Sequence, residues 1–265
     1  MTEVDCIIIT YKLKRKSDTM LFQERISKIM DLLKEKETVS TIDIVRILNI
    51  SEATARRDLA YLEKENKIKR IFGGATVNRI VKEEISIDMK KDIEIKAKNK
   101  IAKIASQFID DGDCIYLDAG TTTHQLIDFL KEKKVKVVTN GLMHIEKLMK
   151  YDIETCIVGG KVKKKTKAII GARAIEDLSD FSFDKAFMGA NGIDESGYMT
   201  FDIEEALLKR KAIRQANRAF ILADSTKFGI KYFSNIAKLE EATIITDKKD
   251  VEEDILKITE VVISK

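Results

Sequence analysis

Six short apolar runs, each breaking off into small or polar residues, constrain this chain more than any other feature. Cys114-Ile-Tyr-Leu117 runs into Asp118-Ala-Gly-Thr-Thr-Thr123, and Val135 to Val138 runs into Thr139-Asn140-Gly141. Thr155 to Val158 ends in Gly159-Gly160, and Ala186-Phe-Met188 ends in Gly189-Ala-Asn-Gly192. Phe220 to Ala223 leads to Asp224-Ser-Thr-Lys227, and Ala242 to Ile245 to Thr246-Asp247. Helical patterns at Gln125–Lys131, Ile145–Lys150 and Ile203–Asn217 lie between them. Apolar strands alternating with helices predict an α/β domain whose mostly parallel sheet is covered on both faces. In such sheets ligands bind beyond the carboxyl ends of the strands. That is where this sequence collects its Gly, Thr, Asn, Asp and Lys.

The most pointed strand end is Asp118-Ala-Gly-Thr-Thr-Thr123, followed directly by a helical pattern. Gly120 lets the backbone come close to a ligand, and Thr121, Thr122 and Thr123 add hydroxyls. The amino end of the following helix favours an anion, so a phosphate would fit. A tight strand–helix turn capped by its threonines is the other reading of the same residues. The stretch is neither GxGxxG nor GxxxxGK[ST], so no dinucleotide or ATP site is expected. Lys209 and Lys227 can reach a second anionic group, and Asn140, Asn191 and Glu205 can bond sugar hydroxyls. The Lys161–Lys167 run is expected to be a solvated loop.

The first 80 residues have a different design. Phe22, Ile26, Ile29, Met30 and Leu33 recur at helical spacing over Phe22–Lys36. Ser40 and Thr41 offer caps for a second helix over Ile42–Leu48, and Asn49-Ile50 makes a short turn. Ser51 is a good N-cap for a third helix, and Glu52 suits its positive end. On that helix Ala55, Leu59 and Leu62 form the apolar face. Ala53, Arg57, Ala60 and Lys64 point away from it, flanked by Thr54 and Arg56. Small residues with arginines on a free face suit a helix that enters the major groove, where arginine bonds guanine or a phosphate. Taken alone, the same helix reads equally as an ordinary charged surface helix. Two short extended runs around Gly73-Gly74 complete a winged helix-turn-helix, with Lys67, Lys69 and Arg70 on the wing.

Charge placement agrees with that reading. Residues 1–80 hold 16 Lys and Arg against 12 Asp and Glu, whereas residues 81–265 hold 32 of each. All of the net +4 therefore sits where phosphates would be met.

Arg25, Ile29, Leu33, Ser51, Thr54-Ala55-Arg56-Arg57-Asp58-Leu59 and Gly73-Gly74-Ala75 resemble the signature of the DeoR family of bacterial transcriptional regulators. Phe72 departs from it, since many members carry histidine before the Gly-Gly. The likeness continues through Asp118-Ala-Gly-Thr-Thr, Thr139-Asn140, Gly159-Gly160, Gly189-Ala-Asn-Gly-Ile-Asp194, Glu204-Glu205-Ala206, Lys209-Arg210 and Asp224-Ser-Thr-Lys227. These are similar to the family's sensor domain, whose fold is like that of ribose-5-phosphate isomerase. The resemblance implies a homo-oligomeric repressor with a phosphorylated sugar as effector and no cofactor. It adds Thr139 and Gly160 to the expected effector-binding residues. The Gly197–Ala206 stretch is similar to that of fructose-operon repressors.

The expected layout is a disordered leader at 1–19, a DNA-binding domain at 20–77, a linker at 78–92 and a sensor domain at 93–265. The Lys12–Lys16 cluster in the leader could instead be a basic arm on DNA. No apolar run approaches the ~20 residues that span a bilayer, and Cys6-Ile-Ile-Ile9 is too short for a signal-peptide core. A cytoplasmic, non-membrane protein is expected. Cys6, Cys114 and Cys156 form no CxxC pair and read as reduced thiols, and with only His124 and His144 no metal site is expected. The competing reading is a sugar-phosphate isomerase with an accessory domain. Isomerases of this kind need a carboxylate base, and the matching loop, Ala190-Asn191-Gly192-Ile193-Asp194, has Asn191 where one would stand.

Overall fold

The computed structural model describes residues 20–36, 38–65, 67–71, 73–77 and 84–264. Residues 1–19, with Cys6 and the Lys12–Lys16 cluster, and Phe72 lie outside the described residues, as does 78–83 of the expected linker. The chain divides into two compact units, Met1–Asn78 and Arg79–Lys265.

In the first unit, helix α1 (Phe22–Lys36) leads to strand β1 (Thr38–Ser40), helices α2 (Thr41–Leu48) and α3 (Glu52–Lys64), and strands β2 (Ile68–Ile71) and β3 (Gly74–Val77). Asn49 closes α2 with φ 50°, a left-handed conformation that asparagine tolerates, and its N–H reaches Val45 O. Ser51 then caps α3, accepting from Thr54 N at 3.1 Å. Ile29 and Leu33 of α1, Ile44 of α2, and Ala55, Leu59 and Leu62 of α3 are fully buried together. The antiparallel sheet runs β1-β3-β2. Strand β1 was not legible: Val39-Ser40-Thr41 reads as capping residues, yet Val39 is in the core and pairs with Ala75. A Cβ on Gly74 would stand 2.3 Å from Val39 O, so only glycine lets β3 pass so close to β1.

One ion pair ties α1 to α3. Arg25 donates to Asp58 through Nε at 2.7 Å and Nη2 at 3.1 Å, and through Nη1 to Met20 O. Asp58 is 2% exposed, and its ion-pair partner among the described residues is Arg25.

In the second unit, helices α4 (Ile87–Lys91) and α5 (Ile95–Ala105) precede strand β4 (Cys114–Leu117). There follow α6 (Thr121–Leu126), β5 (Lys136–Thr139), α7 (Leu142–Lys150), β6 (Glu154–Ile157), β7 (Lys161–Lys163), β8 (Ala168–Ile170) and α8 (Ala172–Ser179). The chain continues through β9 (Phe183–Gly189), β10 (Gly192–Asp194), β11 (Gly197–Thr200), α9 (Ile203–Arg214) and β12 (Ala216–Leu222). It ends with β13 (Ser234–Ala237), β14 (Thr243–Thr246), α10 (Glu253–Leu256) and β15 (Val261–Ile263).

Seven strands form one sheet in the order β15-β14-β12-β9-β4-β5-β6, with every pairing parallel. Alternate residues feed two cores. Tyr116, Met188, Ile221 and Ile244 pack with α8 and α9, while Leu117, Phe187, Phe220 and Ile245 pack with α5. That alternation is the strand period of two acting on runs apolar at every position.

Four features differ from expectation. The sheet has a seventh strand, β15, on its edge. A small antiparallel sheet, β10-β11-β13, sits apart from it. The Lys161–Lys167 run is a β7–β8 hairpin rather than a solvated loop, because Lys163 turns inward to Glu84, Asp202 and Glu205. Residues 87–91, expected to be linker, form α4, with Ile87 buried.

Removing one partner of a buried ion pair leaves the other uncompensated. Asp58→Ala is expected to destabilise the first unit by about 3 kcal/mol, with the second unit unchanged. Calorimetric unfolding of the full chain, resolved into its transitions, measures this.

Candidate functional site

The third helix of the first unit presents the face expected of it. Ser51, Ala53, Arg56, Arg57, Ala60 and Lys64 are exposed, and Thr54 is half-buried. The two arginines differ. Arg56 folds back on Glu52, with Nη2 at 2.6 Å and Nε at 3.0 Å. Arg57 makes no ion pair or hydrogen bond among the described residues and is free to meet a base or phosphate. An exposed i,i+4 pair such as Arg56–Glu52 is worth only ~0.3–0.5 kcal/mol, so a phosphate can recruit Arg56 as well. Ser40 caps α2 by accepting from Asp43 N at 3.0 Å, and Thr41 opens that helix. Lys69 and Arg70 lie on β2, the outer strand of the wing.

In the second unit, the strand ends converge on one pocket. Asp118, Gly120, Thr121, Thr122, Asn140, Asn191, Glu205, Lys209 and Lys227 all line it. Asp118 is its organiser, at 2% exposure. Its Oδ1 accepts from Gly120 N at 3.0 Å and Thr123 Oγ1 at 2.9 Å. Its Oδ2 accepts from Gly189 N at 2.8 Å and from Lys209 Nζ. Thus the ends of β4 and β9, the start of α6 and the middle of α9 meet at one carboxylate.

Two other polar groups are also held in place. Asn140 Oδ1 accepts from Tyr116 Oη at 2.9 Å, and its Nδ2 donates to Ile169 O at 3.0 Å. Burial and the nearby Asp118 and Glu205 carboxylates keep Tyr116 protonated. Glu205 Oε1 accepts from Thr166 Oγ1 at 2.7 Å and Lys163 Nζ at 3.2 Å. Burial opposes the charge on Lys163, but Glu205, Glu84 and Asp202 together raise its pKa. Lys227 rests against Thr226 Oγ1 at 3.0 Å and Asp224 Oδ2 at 3.5 Å. Among the described residues, the hydroxyls of Thr121 and Thr122 and the amide of Asn191 make no side-chain hydrogen bond.

Three expected residues stand outside the pocket lining, each for a structural reason. Thr123 is fully buried and spends its hydroxyl on Asp118 and Gly120 O. Thr139 is fully buried, donating to Leu117 O at 2.6 Å and accepting from Gly141 N. Gly160 serves backbone geometry: its φ is +140° and a Cβ would meet Ile170 O at 2.6 Å. Conversely, the pocket includes Ile85, Ile87, Lys90 and Ile93 from α4 and its flanks, and Lys98 from α5. Nothing in their composition sets them apart from a charged linker. Their only sequence signal is the Ile85, Ile87, Ile93 spacing among charges.

The family description "DeoR C terminal sensor domain" matches residues 93–248, and "DeoR-like helix-turn-helix domain" matches residues 25–81. The chain belongs to the DeoR family of transcriptional regulators. It is 44% identical over 229 residues to the uncharacterized HTH-type transcriptional regulator FruR of Bacillus subtilis, covering 86% of this chain and 91% of that protein. It is 34% identical over 234 residues to the lactose phosphotransferase system repressor of Staphylococcus epidermidis, covering 86% and 93%. Among solved structures, ribose 5-phosphate isomerase A from Methanocaldococcus jannaschii aligns at 21% identity with a TM-score of 0.37, covering 49% of this chain and 53% of that one. As a DeoR-family member the chain is a DNA-binding regulator and not an isomerase. No helix among the described residues is long and apolar enough to cross a membrane.

Behind the DeoR-family pocket lies a histidine pair. His144 Nε2 is 3.3 Å from Thr123 Oγ1, the ring centroids of His124 and His144 are 5.3 Å apart, and neither Nδ1 has a partner. Burial, with repulsion from Lys147, lowers His124 to about 4. Burial and the neighbouring His124 lower His144 to about 3. Both folded values lie below the ordinary 6.5, so the unfolded chain binds more protons in acid. Their contribution to stability is full above pH 6.5 and is lost as pH falls toward these values. Between pH 6.5 and 5, His144 is expected to cost the second unit about 2 kcal/mol. Thermal unfolding of wild type and His144→Gln across that range should show a steeper loss in the wild type.

Proposed function

We propose that this DeoR-family protein is a sequence-specific repressor of a sugar-metabolism operon, controlled by a phosphorylated sugar bound at the strand ends of its sensor unit. It acts in the cytoplasm, as a homo-oligomer, without a cofactor. The observation that carries the reading is the pocket itself. Lys90, Lys98, Lys209 and Lys227 face Asp118, Glu205 and Asp224 there, beside the free hydroxyls of Thr121 and Thr122. Cations with open hydroxyls suit a phosphate, and the held amide and carboxylate of Asn140 and Glu205 suit sugar hydroxyls. The lactose phosphotransferase system repressor among its relatives supports a sugar-related operon.

On DNA, Ala53, Thr54 and Arg57 face the base edges of the major groove, and Arg56, Lys64, Ser40, Thr41 and Ser51 flank them. Lys69 and Arg70 reach the backbone from the wing. In the pocket, Lys209, Lys227, Thr121 and Thr122 hold the phosphate, and Asn140, Asn191 and Glu205 orient the sugar. Linkage then does the work: a ligand that favours one arrangement of the chain shifts the population between DNA-competent and DNA-incompetent forms.

Fluorescence anisotropy on DNA from upstream of the protein's own gene cluster, at fixed salt, tests this. The panel of phosphates is headed by fructose 1-phosphate, because the Gly197–Ala206 stretch is similar to fructose-operon repressors. Specific binding that one sugar phosphate alters is the expected result. Specific binding untouched by any phosphate would contradict the effector assignment. Arg57→Ala is expected to weaken operator binding by ~1–3 kcal/mol and relax specificity at one position. Lys227→Ala is expected to blunt the response to the phosphate while sparing DNA binding in its absence.

A further inference from the structure

Of the four lysines lining the pocket, three have partners. Lys209 pairs with Asp118, Lys227 with Asp224, and Lys98 donates to the carbonyls of Lys90 and Ile93. The half-buried ammonium of Lys90 has no partner among the described residues. A cation taken from water without a partner is costly unless something arrives to pair with it.

Lys90 stands on α4, and α4 is attached to the rest of the unit by its margins. Ile87 N donates to Lys165 O at 2.9 Å, Asp88 pairs with Lys167 at 2.6 Å, and Glu84 pairs with Lys163 at 2.8 Å. Ile87 is buried, but Ile85, Met89, Ile93 and Ile95 are 42%, 65%, 40% and 49% exposed. The Glu84–Lys163 pair is buried and the Asp88–Lys167 pair is exposed, so this five-residue helix, with Ile87 its one buried side chain, is held at its ends rather than along its length. Lys163 also joins α4 to the pocket floor, since the same ammonium that holds Glu84 holds Glu205.

We propose that α4 is a ligand-operated lid over the pocket and that Lys90 is the lid's own contact with the bound phosphate. This inference rests on the sugar-phosphate reading above. An anion set between Lys90, Lys209 and Lys227 supplies the missing partner and fixes α4 on the strand ends. α4 is the first element of the sensor unit after the DNA-binding unit in sequence.

The electrostatics give the lid a pH signature. Burial lowers Lys90 to about 8, against the attraction of Glu205 and Glu84, and Lys227 and Lys209 lower it further. Lys98, on α5, donates to the backbone of this turn, and burial lowers it too, against the attraction of Asp224. A bound phosphate favours the charged ammonium, so affinity should fall as pH rises above about 8.

The test is calorimetric titration of the full chain with fructose 1-phosphate, glucose 6-phosphate and inorganic phosphate, at pH 7 and pH 9. Hydrogen exchange over residues 85–94 is followed in parallel. Wild type is expected to bind a sugar phosphate, to lose affinity at pH 9, and to slow exchange over 85–94 when saturated. Lys90→Met should fold at least as stably as wild type in the absence of ligand, because it removes an unpaired cation. It should bind at least about tenfold more weakly at pH 7 and leave exchange over 85–94 unchanged at saturation. Lys90→Arg should keep the affinity at pH 7 and lose less of it at pH 9 than the wild type, since arginine stays charged. Wild-type affinity and protection in Lys90→Met would overturn the lid and leave the sugar-phosphate reading standing. No binding of any of the three phosphates by the wild type would overturn both.

Discussion

The sensor unit depends on the Asp118 carboxylate. It gathers two backbone amides, a threonine hydroxyl and the Lys209 ammonium from three elements, the start of α6, the end of β9 and the middle of α9. Each partner neutralises part of a charge that would otherwise be costly at 2% exposure. With Asp118 satisfied, Gly120 can turn the chain into α6, and Thr121 and Thr122 are left lining the pocket. The pocket is thus a consequence of how one buried carboxylate is paired. Thr139 and Thr123 belong to the same framework, which is why they resemble ligand residues in sequence yet point into structure.

The two units solve different problems with similar means. The DNA-binding unit is small, so its core of Ile29, Leu33, Ile44, Leu59 and Leu62 is reinforced by a two-pronged Arg25–Asp58 bridge from α1 to α3. That bridge turns Asp58 inward while Arg57, next to it, stays free. In the sensor unit the large parallel sheet supplies ample core on both faces, and polar networks are confined to its strand ends. The strand ends are tied by buried hydrogen bonds and ion pairs, whereas α4 is tied mainly through the Glu84–Lys163 and Asp88–Lys167 pairs at its start.

Much of this was legible because the signals were periodic. The three helices of the first unit and six of the seven parallel strands follow from apolar spacing, and nine of the twelve expected pocket residues line one pocket, seven just past strand ends and Glu205 and Lys209 on α9. What escaped was non-local. Strand β1 is three residues whose pairing depends on Gly74 passing close by. Strand β15 is a short edge strand in a mixed segment. Lys163 looked like one of a run of solvated lysines, and only the fold brings Glu84, Asp202 and Glu205 around it. Lys90 was hidden for the same reason, since a charged segment gives no sign of which charge will face inward. Thr123, Thr139 and Gly160 share the strand-end neighbourhood but lie outside the pocket lining, because hydrogen bonding and backbone geometry turn them into the framework.

The central claim is that one pocket and one DNA face share a free energy. The most direct measurement is the affinity of the full chain for its sugar phosphate, by calorimetry, with and without saturating operator DNA. Linkage requires that the operator change the sugar-phosphate affinity by the same factor as the sugar phosphate changes operator affinity. Matching factors, each of roughly 5-fold or more, are the predicted result. A sugar-phosphate affinity that is identical with and without operator would contradict the account.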